Sequence, residues 1–167
     1  MKNNPFALVK SSNAWRGKIK GSGRFESFGT MKDGVRAGFI NLYNVNKRAE
    51  TLKDLIFIYA PPFENDSARY SQNMETWTGL SQSKKANLDD EGTHLKLGRA
   101  IIRQEGIKPG PNESEILEGF KAGREQLGFK SGFSVNTEAP EPSHIVSEII
   151  TFAIIVLIVY ILIKFLI

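Results

Sequence analysis

The sequence predicts a mainly α protein of the α+β class: a head over residues 1–130, a tether over 131–144 and one transmembrane helix over 145–167. Three observations carry this expectation. Apolar residues recur at helical spacing from about residue 32 to residue 127. Short apolar islands at 6–9 and 25–28 sit among Gly, Ser, Asn and Lys. A nearly unbroken apolar run closes the chain.

The islands at 6–9 and 25–28 read as short strands or ordered loops. From residue 32 the period changes: Val35, Phe39 and Leu42, with Ala37 and Ile40, mark one face of a first helix that starts behind Asp33 as a cap and runs to about Tyr43. A second helix begins at Thr51 as its cap, carries Leu52, Leu55, Ile56 and Ile58, and ends before Pro61 and Pro62, which cannot continue it. A third starts at Asn65 or Asp66, presents Ala68, Tyr70, Met74 and Trp77, and stops at Gly79. After a polar loop over 81–92, a fourth starts at Thr93, carries Leu97, Ala100, Ile101 and Ile102, and reaches Glu105, with Gly106 as its C-terminal cap. A fifth covers 113–127, with Ile116, Leu117 and Phe120 on one side and Gly128 closing it.

Beyond Lys130 the composition shifts to Ser, Asn, Thr, Glu and Pro, as in an extended tether. Residues 149–163 are apolar except for Thr151, and the run from residue 145 is long enough, at about 1.5 Å per residue, to cross a hydrocarbon core of about 30 Å. Glu148 and Lys164 lie near its ends, where charged groups reach the headgroups. Residues 1–20 contain no apolar stretch suited to a secretory signal, so insertion is expected to use the tail. Lys164 at the far end of the span, against Glu138, Glu141 and Glu148 on its head side, favours a cytoplasmic C-terminus and a head outside the cytoplasm, or on the matching side of a virion membrane.

Composition excludes several chemistries. The chain has no cysteine and two histidines, His94 and His144, which argues against a disulfide framework, thiolate catalysis or a histidine-rich metal site. No metal or cofactor is expected. Gly17, Gly21 and Gly23 lack the strand-to-helix context of a phosphate-cradling loop, so no nucleotide partner is expected. Residues 1–48 hold ten Lys or Arg against Glu26 and Asp33, while 49–144 lean acidic. A basic lobe of this kind suits nucleic acid, anionic lipid or an anionic wall polymer, and equally a plain solvated surface.

Glu105 is the first candidate for chemistry. Leu97, Ile101 and Glu105 follow at i+4 spacing, so the carboxylate continues the buried face of its helix. Partial desolvation raises a carboxyl pKa and suits a general acid acting on a glycosidic bond, although the same residue also reads as a helix-end glutamate half in water. Glu64 is the rival acid, held with Asn65 at a rigid helix start, where Asn65 or Asp66 equally acts as a cap. Tyr70 on the next turn is a candidate for hydrogen bonding to a sugar, and Trp15 and Trp77 for stacking on one. All three read equally as packing residues.

The helix of Ala100-Ile101-Ile102-Arg103 leading to Glu105 resembles the catalytic-glutamate helix of lysozyme-like lytic transglycosylases; Gly106 stands where that superfamily usually has Ser. A longer series is similar to phage and prophage virion proteins directed at peptidoglycan. It comprises Asn4-Pro5 with Trp15-Arg16-Gly17, Phe25-Glu26-Ser27-Phe28, Asp33-Gly34-Val35-Arg36-Ala37, Ala60-Pro61-Pro62-Phe63-Glu64-Asn65-Asp66 with Tyr70, Thr78-Gly79, and Ala100 to Arg103 before Glu105. Its N-terminal pieces also resemble the segment of glucosaminidase and goose-type lysozyme domains that follows their catalytic glutamate. Together the likenesses imply a lysozyme-like helical head, circularly permuted, in which Glu105 meets the Trp15 and Phe25 segments. They imply a membrane-anchored virion protein that cleaves host peptidoglycan, with Glu105 or Glu64 as acid and Trp15, Asn65 and Tyr70 binding substrate. The alternative is a non-enzymatic virion protein linking membrane to capsid proteins.

Overall fold

The structure, a computed structural model, describes residues 1–130 of the 167. Five helices follow one another: α1 (Met31–Asn46), α2 (Leu52–Tyr59), α3 (Ser67–Thr78), α4 (Glu91–Glu105) and α5 (Glu113–Gln126). The expected tether and transmembrane helix lie outside the described residues. Among the described residues no helix is long and apolar enough to cross a membrane.

The helix starts are set by side-chain caps that satisfy backbone N–H groups lacking a partner in the first turn. Thr30, rather than Asp33, caps α1: its hydroxyl oxygen accepts from the Asp33 backbone N–H at 3.1 Å. Asp33 is already in the helix, where its carboxylate accepts from the Thr30 hydroxyl and complements the helix dipole. Thr51 and Asp54 form a reciprocal capping box on α2, and Asn112 and Glu115 form another on α5. Asp66 caps α3, and Asp90 caps α4, so α4 starts at Glu91, two residues earlier than Thr93. Gly79 and Gly106 end α3 and α4 in the left-handed conformation expected of such caps.

α1 is the axis of the fold. Seven consecutive residues from Gly34 to Ile40 are buried, which an ordinary one-faced surface helix does not show. Its neighbours therefore cover it on several sides, with α5, α2 and α4 packing against it. Glycines at these contacts make this possible. A Cβ at Gly38 would lie 2.0 Å from the Phe6 ring, and one at Gly98 would lie 2.0 Å from Phe39. Phe6 and Phe39 meet edge to face at 5.2 Å, and Phe39 meets Phe120 at 4.8 Å, so the three rings join the N-terminal segment, α1 and α5 in one core.

The N-terminal part departs from the strand reading. Among the described residues it has no strand, only isolated bridges pairing Lys2 with Ser27, Val9 with Phe25, and Lys18 with Phe28. Side chains take over the ordering that a ladder would supply. Asn4 is fully buried; its amide donates to the Leu8 and Glu26 carbonyls and accepts from the Leu8 N–H. Glu26, also buried, accepts from Lys18 and from the Ser11 backbone. The described fold is thus mainly helical, and the expected β component reduces to three bridges.

The loop between α3 and α4 is less polar than its composition suggests. Ala86 and Leu88 are buried, and Arg124 of α5 donates to the Leu88 and Asp89 carbonyls, both at 2.9 Å. Through this contact the start of α4 is tied to the end of α5.

Candidate active site

A cleft of about 540 Å³ opens between the N-terminal segment and the helices. Phe6 to Val9, Trp15 and Phe25 form one wall. Asn41, Val45 and Arg48 come from α1 and the turn after it. Ile58 and Tyr59 come from the end of α2, Pro61, Phe63, Glu64 and Asn65 from the turn before α3, and Glu105 from the last residue of α4. The N-terminal segment and the end of the fourth helix therefore meet, although some 80–100 residues separate them in the chain.

Glu105 is half-buried, and burial raises its carboxyl pKa above the ordinary value; a hydrogen bond from Tyr70 opposes part of that rise. The Tyr70 hydroxyl donates to Glu105 Oε1 at 2.9 Å. Among the described residues Oε2 has no hydrogen-bond partner, so one oxygen is held and the other is free. Tyr70 itself is 4% exposed, and burial holds its pKa well above 10, with Tyr59 and Glu105 adding to the shift, so it remains a donor. Tyr59 stands beside it, the two rings 6.5 Å apart, and its own hydroxyl donates to the Phe6 carbonyl. Burial, reinforced by the nearby Glu105, likewise keeps Tyr59 neutral. The pair of tyrosines thus links α2, α3, α4 and the N-terminal wall around one carboxyl group.

Glu64 lies in the same cleft in a different state. Its carboxylate is ion-paired with Arg24 of the N-terminal segment across the cleft. The backbone N–H groups of Glu64 and Asn65 both donate to the Pro61 carbonyl, closing the turn, while Asp66 takes the capping role. Asn65 lines the cleft, and its side-chain amide lies near the Pro61 carbonyl at 3.4 Å. Trp15 is partly buried against the core with its remaining surface in the cleft. Trp77 is elsewhere: the Arg103 guanidinium stacks over it at 4.0 Å in a separate groove with Leu95 and Lys96.

Five residues singled out in the sequence, Glu105, Glu64, Asn65, Trp15 and Tyr70, are therefore either in the cleft wall or bonded to a group in it. Sequence reasoning missed Tyr59, Asn41, Arg24 and Arg48. Tyr59 had one signal, its position next to the Ala60-Pro61-Pro62 break that ends α2. Among the described residues no three His, Cys, Asp or Glu side chains are grouped to hold a metal ion.

No protein-family model matches the chain. It is 30% identical over 128 residues to Protein P5 of Pseudoalteromonas phage PM2, an alignment that covers 72% of this chain and 78% of that protein. With that identity and coverage, the chain belongs to the family of the phage PM2 Protein P5.

Proposed function

We propose that the chain is a membrane-anchored phage virion protein that cleaves glycan strands of host peptidoglycan as the phage enters its host, with Glu105 as general acid and base. The observation that supports this reading is a desolvated carboxyl group, oriented by a buried tyrosine, in a cleft large enough for a sugar chain. Protonated Glu105 donates its proton to the glycosidic oxygen as the bond to the anomeric carbon breaks. The resulting carboxylate then takes the proton from the hydroxyl at C6 of the same sugar, whose oxygen closes on the anomeric carbon. No water is consumed and one carboxyl group suffices. A hydrolase of the usual kind needs two. Here the second, Glu64, is engaged with Arg24, which favours the transglycosylase route. Trp15, Asn65 and Tyr70 complete the site: Trp15 offers an aromatic face, Asn65 an amide, and Tyr70 orients the acid. In this reading residues 131–144 tether the head and residues 145–167 anchor it in the virion membrane or the host inner membrane, with the head outside the cytoplasm.

The second reading is a non-enzymatic protein that joins the virion membrane to capsid proteins. It is favoured by the Arg24–Glu64 pair, which bridges the two walls of the cleft as a structural clasp would. The discriminating experiment is wall clearing by purified residues 1–140, with released fragments analysed by mass. The expected result is loss of at least a hundredfold in Glu105→Gln and retained activity in Glu64→Gln, with anhydro-sugar ends on the products. A folded protein inactive on walls from several hosts overturns the enzymatic reading and leaves the structural one.

A further inference from the structure

The cleft does not end at Trp15. It continues into a second groove of about 500 Å³, which shares Asn13, Trp15, Asn41, Val45 and Arg48 with the first and adds Asn44 of α1 and Gln126 of α5. Its chemistry differs from that of the Glu105 end. Four side-chain amides line it, those of the exposed Asn13, Asn44 and Gln126 and the half-buried Asn41, and among the described residues none of them has a hydrogen-bond partner, so all four face solvent. An amide both donates and accepts, so four unpaired amides match a ligand dense in hydroxyl and acetamido groups. Trp15 supplies a flat apolar face between the two grooves.

Arg48 gives this region its charge. Among the described residues two cations line the cleft, and Arg24 is neutralised by Glu64. Arg48 is exposed and, among the described residues, its guanidinium has no ion pair or hydrogen bond and is not stacked over an aromatic ring. No carboxylate among the described residues lines the second groove. A free guanidinium beside amides is suited to a carboxylate held in a planar, two-point contact.

We infer that the groove beyond Trp15 is a binding site for an acidic amino sugar of the glycan strand, its acetamido and hydroxyl groups on the amides and its carboxylate on Arg48. The inference rests on the glycan-cleaving reading of the cleft and adds a selectivity to it. Strands that carry carboxylates are held past Trp15, and neutral acetamido-sugar polymers are held more weakly. The carboxylate is either the sugar's own lactyl acid or one in the peptide attached to it.

The test uses the full-length chain in neutral detergent with Glu105→Gln, so that binding is read without turnover. Three tetrasaccharides are titrated by calorimetry: neutral chitotetraose, a peptide-free N-acetylglucosamine/N-acetylmuramic acid tetramer, and the same tetramer with stem peptides. The expected result is about tenfold tighter binding of an acidic tetramer than of chitotetraose, a preference that falls as salt is raised. Whichever acidic tetramer shows the preference identifies the carboxylate. Adding Arg48→Gln should remove the preference while leaving thermal unfolding unchanged, and Arg48→Lys should restore part of it. Equal binding of all three sugars, or a preference that survives Arg48→Gln, overturns the anionic site and leaves the cleft as a glycan site. Binding of none of them overturns the glycan reading itself, and the anionic site with it.

Discussion

His94 should make the fold acid-sensitive, and the structure sets the size of the effect. The ring is fully buried in α4, in a cage of Phe39, Tyr43 and Phe120 with centroids 5.4, 5.9 and 5.4 Å away. Its Nε2–H donates to the Phe39 carbonyl at 3.1 Å, and among the described residues Nδ1 has no partner, an arrangement that fits the neutral ring. Protonation would place a charge in this apolar cage with no acceptor for the new N–H. Burial accordingly lowers the pKa from 6.5 to about 4; the Phe39 carbonyl and Asp89 oppose the shift, and Arg124 adds to it. Because the folded pKa lies below the unfolded one, the unfolded chain binds the proton first. Stability is full above the unfolded value and is lost as pH falls from 6.5 toward 4. Two and a half pH units at about 1.4 kcal/mol each make a total of about 3 kcal/mol, of which about 2 kcal/mol falls between pH 7 and pH 4.5. Glu105, with its raised pKa, acts in the opposite sense, since it destabilises the fold when ionised and ceases to do so in acid. Urea unfolding of residues 1–130 at the two pH values, beside His94→Gln, isolates the histidine. Glutamine retains a donor for the Phe39 carbonyl and does not titrate, so the variant should lose about 2 kcal/mol less than the wild type over this interval. Equal losses in the two proteins would refute the reasoning.

Two further outcomes follow from particular contacts. Tyr70→Phe removes the hydrogen bond that partly offsets the burial of Glu105, so the pKa of Glu105 should rise further and the alkaline limb of wall clearing should move to higher pH; a shift to lower pH would contradict the assignment. Gly98→Ala places a methyl group 2.0 Å from the Phe39 ring, which is held on its other sides by Phe6 and Phe120, and should destabilise the fold by about 1–3 kcal/mol in urea titrations.

The helices were legible because their signals are local. A Thr or Asp that accepts from a backbone N–H two or three residues on, and a Gly that takes a left-handed turn, act within one turn of chain. The errors at the starts of α1 and α4 are of the same local kind: Thr30 and Asp90 were both available, and a capping residue competes with its neighbours for the same N–H groups. The N-terminal segment was less legible because its order comes from Asn4 and Glu26, whose partners lie up to 22 residues away. A period-2 apolar pattern carries no information about a buried amide that replaces a ladder. Glu105 could be singled out because the i+4 series that buries Leu97 and Ile101 runs directly into it. Its partner Tyr70 was visible only as a residue of the next motif, and Tyr59 and Arg48 were not visible as site residues. What shapes the cleft is the close approach of the Phe6 segment to α1 at Gly38 and of α4 to α1 at Gly98, a property of side chains that are absent.

The uneven charge of the sequence takes on a specific form in the cleft. A general acid needs to keep its proton, and a nearby cation would lower its pKa and defeat it. An anionic glycan strand needs cations nearby to be drawn in. On the proposed reading both demands are met, because the charges are handled separately. Arg24, the cation of the N-terminal wall, is neutralised by Glu64, and Glu105 is set by burial and the Tyr70 hydrogen bond, with no cation among the causes of its shift. Among the described residues Arg48 remains unpaired, on the side of the cleft that runs on past Trp15. On the proposed reading this explains why Glu64 is present without being the acid. Neither Glu64 nor Arg24 is among the causes of the Glu105 shift, so Glu64→Gln should leave activity in place and its alkaline limb unmoved, in contrast to the rise expected from Tyr70→Phe.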